Sequence, residues 1–206
     1  MKIDKISNST YKISNLVRTN IISDVLTLFD ISSHNDGNII TISGINSLTT
    51  FKEWEKKLEH PLIDYIQAEQ IFDNFAAISL YLEKIGMQLS HLNPDNIIVI
   101  NNSHFIPLNF DNLFIIKNDK ITIDTLYNKK NPYLSLDLID NNSIPFVINF
   151  KCFYSSLALL IYDKLIGITK NSDFEQDLLV IYGTRLYWML RYSFEKKPED
   201  RLIIIM

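Results

Sequence analysis

The chain has 206 residues, of which 47% are hydrophobic and 21% are charged, a composition typical of a soluble globular protein. Its net charge of −4 and the lack of a basic block argue against binding to nucleic acid or to an anionic membrane surface. The one cysteine, Cys152, excludes an internal disulfide framework, and no apolar run approaches the roughly 20 residues that span a bilayer.

The first 48 residues mix short apolar and polar stretches. Apolar residues at helical spacing predict a helix over Ile21–Ile31, and the β-branched stretch Asn38–Ser43 predicts a strand. The pair Asp36-Gly37 is a turn signal directly before that strand, because glycine adopts a positive φ without steric cost. This part of the chain is therefore predicted to contain few elements.

Helical patterns dominate from Thr50 onward. A short helix is predicted over Phe51–Leu58 and a long one over Ile63–Ile85, and Gly86 is placed to end the second. The long helix has one apolar face, formed by Ile71, Phe75, Ile78 and Leu82.

The second half is predicted to begin with strands and to end with helices. The predicted strands are Ile97–Ile100, Phe105–Leu108 and a hairpin of Leu113–Ile116 with Ile121–Ile123 that turns at Asn118-Asp119. The predicted helical regions are Phe153–Leu165 and Phe174–Phe194. The second region carries aromatic residues at helical spacing, which we interpret as core: Tyr182, Tyr187, Trp188 and Tyr192.

The segment Tyr81–Ile100 resembles the catalytic loop of protein kinases. In that family a helix ends in Tyr-Leu-x-x-x-Gly and is followed by His-Arg-Asp-Leu-Lys-Pro-Glu-Asn and an apolar strand. The residues in register are Tyr81, Leu82, Gly86, Leu92, Pro94, Asp95 and Asn96. Asn96 matches the family asparagine that holds the second magnesium ion.

Later landmarks follow in the family's order. Thirteen positions after Asn96, where the family has Asp-Phe-Gly, this chain has Asn109, Phe110 and Asp111. Tyr133–Ile139 resembles the phrase that closes the activation segment, and Ser156–Asp163 resembles the start of the central helix. Lys197–Arg201 resembles the late Pro-x-x-Arg motif. The resemblance covers about Ile39 to Arg201.

The departures from the family concern its chemistry. His91 stands at the catalytic aspartate, Leu89 and Ser90 replace the preceding histidine and arginine, and Asn109 replaces the magnesium-binding aspartate. Phe153 replaces the aspartate that opens the central helix. The glycine-rich loop and the nucleotide-binding lysine strand have no counterpart in the sequence.

The resemblance implies an α+β, protein-kinase-like fold with a mainly helical large lobe over 49–206 and a truncated small lobe over 1–48. It implies that Asn96 and Asn109 face one cleft between the lobes, and that Ile98 would lie under an adenine. It further implies an ion pair between Asp137 and Arg201. Phe110 is interpreted as a core aromatic rather than a mobile switch.

The implied function is that of a pseudokinase, an impaired kinase-like module that binds or regulates another protein. Asn96 and Asn109 offer magnesium only neutral amide oxygens, so we predict no metal site and no cofactor. Weak binding of a nucleotide without metal, through Ile98 and Asn96, is left open. The alternative is an atypical serine/threonine kinase or ATP-binding protein that uses Asp111 or Asp95 for the metal. His91, with a reference pKa near 6.5, is either a base in that enzyme or a solvent-facing loop residue. A third alternative is an all-helical scaffold that resembles kinases by chance.

The predicted partner is a protein, without nucleic acid and without a membrane span. The lack of a signal-peptide core and the lone cysteine predict a cytoplasmic location. Abundant Ile, Asn and Lys are typical of an AT-rich genome, such as that of a large DNA virus or an intracellular bacterium, in which case the location is the host cytoplasm.

Overall fold

A computed structural model describes residues 2–141, 143–168 and 173–203. The strands are β1 (Lys2–Ser7), β2 (Thr10–Ser14), β3 (Ser33–Asp36), β4 (Ile39–Ser43), β5 (Leu48–Thr50), β6 (Met87–Leu89), β7 (Ile97–Ile100), β8 (His104–Pro107), β9 (Leu113–Ile115), β10 (Lys120–Ile123) and β11 (Phe146–Asn149). The α-helices are α1 (Thr19–Thr27), α2 (Phe51–Glu55), α3 (Tyr65–Lys84), α4 (Leu136–Ile139), α5 (Cys152–Leu165), α6 (Phe174–Asp177) and α7 (Arg185–Ser193). Short 3₁₀ helices cover Pro94–Asn96, Leu178–Ile181 and Pro198–Asp200.

The fold class is mixed, with 38% helix and 23% strand in small antiparallel sheets. It is compatible with the predicted α+β class, and the all-helical alternative is wrong. Within the described ranges, no helix combines the length and the apolar character needed to cross a bilayer.

The chain divides into two compact units. The first unit comprises Met1–Leu58 and Pro94–Asp111, and the second comprises Glu59–Asn93 and Asn112–Met206. The boundary between a small and a large lobe, placed at residue 48, rests on the resemblance to protein kinases and stays a prediction.

The first unit contains a four-stranded antiparallel sheet in the order β1-β2-β4-β3. Its buried side chains alternate along β2 and β4, and α1 packs on the sheet through its own apolar face. The buried residues are Tyr11, Ile13, Ile40 and Ile42 from the sheet and Ile22, Val25 and Leu26 from α1. Of these four strands, β4 was predicted from the sequence, whereas β1, β2 and β3 were not.

A second sheet of the first unit has the order β5-β7-β8. All four residues of β7 are buried, and α2 packs against this sheet through Phe51 and Trp54. A capping box starts α2: the side chain of Thr50 accepts from the amide of Glu53, whose carboxylate accepts from the amide of Thr50.

The second unit is built around α3 and α5, which contact each other. The predicted helix Ile63–Ile85 is confirmed as Tyr65–Lys84, and Gly86 follows it with φ of 75°, the conformation that glycine adopts most readily. Ten residues of α5 are buried, so this helix is covered on nearly every side.

Two predictions of secondary structure for the second unit are wrong in detail. The strands β9 and β10 do not form a ladder with each other, apart from one bridge between Lys117 and Lys120 beside the expected turn. Instead β9 pairs with β6 and β10 pairs with β11. The helical region predicted over Phe174–Phe194 is broken, since α6 and a 3₁₀ turn end before Gly183 and α7 begins after it.

Candidate functional site

Asn96 and Asn109 line one small cavity of the first unit. Its volume is about 130 Å³, and it is also lined by Asn15, Leu16, Val17, Leu108 and Asp111. The backbone amide of Leu108 donates to the carbonyl of Asn96 at 2.8 Å, which ties the two segments together. The two side chains therefore lie close together, as the resemblance implied. The role of Asn109 as a degenerate metal-aspartate position and that of Asn96 as the family's metal-binding asparagine stay predictions.

The side chain of Asn109 is already engaged by its own loop. Its Oδ1 accepts from the backbone amide of Asp111 at 2.8 Å, an Asx-type turn. One lone pair of the only acceptor atom in this side chain is therefore used within the loop. The neighbouring Asp111 is exposed and is the one carboxylate among the described residues that line the cavity.

The cavity offers little to a metal or a nucleotide. Nowhere in the described ranges do three or more His, Cys, Asp or Glu side chains group in a way that could hold a metal ion. A volume of about 130 Å³ also lies below the roughly 300–1,000 Å³ that small-molecule pockets usually have. Ile98, the predicted adenine contact, is fully buried on β7 and is not among the residues that line the cavity.

Sequence reasoning missed Asn15, Leu16 and Val17, which line this cavity. They follow β2, whose Tyr11 and Ile13 are buried while their neighbours are not. That alternation has the period of a half-buried strand, so the signal for β2 was present in the sequence.

His91 lies in the second unit and is buried, with 9% of its surface exposed. The alternative of a solvent-facing histidine is therefore wrong. Its Nδ1 lies 2.9 Å from Oγ of Ser90, and its ring faces that of Tyr127 at 6.1 Å between centroids. Burial lowers the pKa of His91 to about 4, so the imidazole is neutral at pH 7 and is a much weaker base than the reference value suggested.

Hydrogen bonds fix the backbone around His91. The side chain of Asn112 donates to the carbonyl of His91, and that of Asn131 donates to the carbonyl of Leu92 at 2.7 Å. The amide of Leu92 donates to Oγ of Ser156 at 2.8 Å. These three hydrogen bonds hold the loop in a defined conformation.

Ser156 joins this loop to two other segments of the second unit. It is fully buried on α5, and its hydroxyl accepts from Leu92 and donates to the carbonyl of Tyr133. Phe153, one turn earlier on α5, is also fully buried. The start of α5 thus places an apolar ring in the core, while the hydroxyl of Ser156 holds the loop.

The expected ion pair between Asp137 and Arg201 is present. The guanidinium donates to the carboxylate, and its Nε also donates to the carbonyl of Glu195 at 2.9 Å. The side chains are 17% and 5% exposed, respectively, so the pair is mostly shielded from water. Phe110, in the first unit, is fully buried, as a core aromatic should be.

A larger cavity of about 740 Å³ lies in the second unit, away from the residues that the sequence singled out for chemistry. Its apolar walls are Leu136, Leu159, Tyr162, Ile168, Phe174 and Phe194, and its charged rim is Glu175, Arg191, Glu195, Lys196, Lys197 and Asp200. The rim carries three cationic and three anionic side chains, so its charge favours neither anionic nor cationic ligands.

No family model matches the chain, and no curated protein matches it.

Proposed function

We propose that this protein is a pseudokinase, a protein-kinase-like domain that has lost phosphoryl transfer and acts by binding another protein. The observation that carries the proposal is the cavity lined by Asn96 and Asn109. At the positions where the family arranges its metal ligands, this chain presents two neutral amides, and the second is bound to the amide of Asp111.

The surroundings of His91 support the same proposal. Phosphoryl transfer depends on positioning and on charges that stabilise the transferred group. A buried imidazole with a pKa of about 4 supplies neither a negative charge nor an effective base at neutral pH.

The features that are retained concern structure rather than chemistry. The Asp137–Arg201 pair and the hydroxyl of Ser156 both hold segments of the second unit together. A chain that keeps a fold for protein binding must keep such contacts, whereas it has no need of the carboxylates that bind magnesium.

A second candidate function is an atypical kinase in which Asp111 binds the metal. The observation in its favour is that this exposed carboxylate lines the same cavity as Asn96 and Asn109. The register places it two residues beyond the family position, so the proposal of a pseudokinase is preferred.

Thermal unfolding in the presence of nucleotide distinguishes the pseudokinase from the atypical kinase. A ligand that binds only the folded state raises the melting temperature by mass action. We expect ATP with magnesium to give no larger shift than ATP with a chelator. A magnesium-dependent shift that Asp111→Asn abolishes, while the control Asp124→Asn retains it, would favour the atypical kinase.

A further inference from the structure

Four aromatic side chains form a connected cluster on the second unit, which we call the aromatic ladder: Tyr182, Tyr187, Trp188 and Tyr192. Ring centroids lie 5.0 Å apart between Tyr182 and Tyr187, 4.9 Å between Tyr187 and Trp188, and 6.1 Å between Trp188 and Tyr192. Tyr182 is 64% exposed and Trp188 is 41% exposed. The expectation that these residues belong to the core is therefore wrong for Tyr182 and Trp188, whereas Tyr187 and Tyr192 are half-buried.

Contacts at the start of α7 hold the aromatic ladder in place. The first helical turn of α7 is capped by Thr184, whose Oγ1 accepts from the amide of Tyr187 at 3.2 Å. Gly183, with φ of 80°, makes the turn that places Tyr182 against that helix. Arg185 binds both carboxylate oxygens of Asp73 on α3, which fixes the start of α7. Such a surface loses little conformational freedom when a partner binds.

An acidic cavity adjoins the aromatic ladder. It has a volume of about 380 Å³, and Tyr187 contributes to it together with Asp173, Glu175, Gln176, Leu178, Leu179 and Arg191. Arg191, the one cation among the described residues that line it, is bound to Glu195 at 2.9 Å. Within the described part of the chain, no cation pairs with Asp173 or Glu175, both of which are exposed. Among its described lining residues, the cavity thus combines the ring of Tyr187 with two carboxylates and one cation, and that cation is paired with Glu195.

Exposed aliphatic side chains extend this surface. Leu179 lines the acidic cavity together with Tyr187, and both Leu179 and Val180, which follows it in the chain, are exposed. Isolated exposed apolar residues are ordinary, but a contiguous group of Tyr, Trp and aliphatic residues is typical of a protein-binding surface.

We infer that the aromatic ladder and the acidic cavity together form a docking site for a basic segment of a partner protein. An arginine or lysine side chain lying over an aromatic face is attracted by the ring, and its charge would be met by Asp173 and Glu175. An apolar residue beside it would pack on Leu179 and Val180. A nucleic acid would also stack on the rings, but its phosphates would meet two carboxylates and a cation that is already neutralised. This inference goes beyond the pseudokinase proposal and does not depend on it.

A peptide array tests the site without any nucleotide. The full chain is applied to immobilised 12-residue peptides whose central two positions are varied over all residues on a Ser/Ala/Gly background. We expect selection of peptides that carry Arg or Lys beside an apolar residue. The best peptide is then titrated against wild type and variants by fluorescence anisotropy.

Matched variants separate the two parts of the site. Tyr182→Ala removes an exposed ring, and the double variant Asp173→Asn/Glu175→Gln removes both charges while asparagine retains the helix cap that Asp173 provides. We expect each to weaken binding at least about fivefold. The controls Leu126→Ala and Asp124→Asn, which change exposed residues outside the site, should bind as the wild type does.

Salt dependence gives an independent readout. Raising the salt concentration screens exposed charges. It should therefore weaken binding to the wild type much more than binding to the double carboxylate variant. The inference is overturned if basic peptides are not preferred over neutral ones, if Tyr182→Ala binds the selected peptide with unchanged affinity, or if a 12-nucleotide uridine RNA binds more tightly than that peptide.

Discussion

Arg201 and Asp137 form a mostly buried ion pair that connects the end of the described chain to α4, 64 residues earlier in the sequence. Removing one member strands the charge of the other away from water, which typically costs about 3–5 kcal/mol. We therefore expect Arg201→Ala to lower the free energy of unfolding by about that amount, measured by urea denaturation at pH 7.

Two further variants make this measurement specific. The double variant Asp137→Leu/Arg201→Met removes both charges together, so it should be more stable than Arg201→Ala alone. Arg191→Ala disrupts a pair whose side chains are 35% and 32% exposed, and it should cost no more than about 0.5 kcal/mol. Equal losses for Arg201→Ala and Arg191→Ala would show that the Asp137–Arg201 pair has no special structural role.

Ser156 is expected to be the more important of two adjacent serines on α5. Ser156→Ala leaves the amide of Leu92 and the carbonyl of Tyr133 without their partner, at about 1–3 kcal/mol for each buried group. Ser155→Ala is the matched control, because its hydroxyl donates one bond, to the carbonyl of Ser193 at 3.0 Å. Chemical denaturation of both variants should give the larger loss for Ser156→Ala, and the reverse order would contradict the assigned contacts.

Burial of His91 predicts a loss of stability in acid. The unfolded chain takes up the proton near pH 6.5, whereas the folded chain takes it up only near pH 4. Between these values the unfolded state holds more protons, so stability falls as the pH falls, by about 1.4 kcal/mol per pH unit. Below about pH 4 both states hold the proton, so the stability that neutral His91 contributes at pH 7 should be lost completely.

The contribution of His91 is isolated by substitution. Unfolding of His91→Gln, measured from pH 7 to pH 4.5, should show a clearly shallower dependence on pH than that of the wild type. Burial also lowers the pKa of the half-buried His104, so His104→Gln is measured in parallel to assign its own share. An unchanged slope in His91→Gln would mean that the histidine is accessible to water in the folded state.

The sequence predicted best those elements that have a long, regular pattern. The apolar face of α3 and the glycine after it located that helix to within two residues at its start and one at its end. The short strands β1 and β3 contain few apolar residues, so the sequence pattern does not reveal them. They are stabilised by pairing with β2 and β4. The partners of β9 and β10 depend on contacts distant in sequence, which local periodicity does not encode.

The candidate site could be predicted only in part, for the same physical reason. The resemblance to the kinase catalytic loop predicted that Asn96 and Asn109 lie close together, and both line one cavity. The burial of His91 depends instead on tertiary packing around Ser90 and Tyr127, which a local motif does not contain. Helical spacing likewise identified the aromatic residues of α7 without indicating that Trp188 is exposed. Periodicity locates a face, whereas exposure depends on what packs against it.

We propose that this chain does not transfer phosphate, and incubation with radiolabelled ATP is the most direct test of that proposal. The protein is incubated with the label, generic substrates and either magnesium or manganese, and incorporation into substrate and into the protein itself is compared with a heat-denatured sample. Because the amides of Asn96 and Asn109 supply no anionic ligand and His91 is a neutral, weak base, we predict no incorporation above that control. Incorporation of label that disappears in Asp111→Ala or His91→Ala would contradict the pseudokinase proposal and would show that the protein is an atypical kinase.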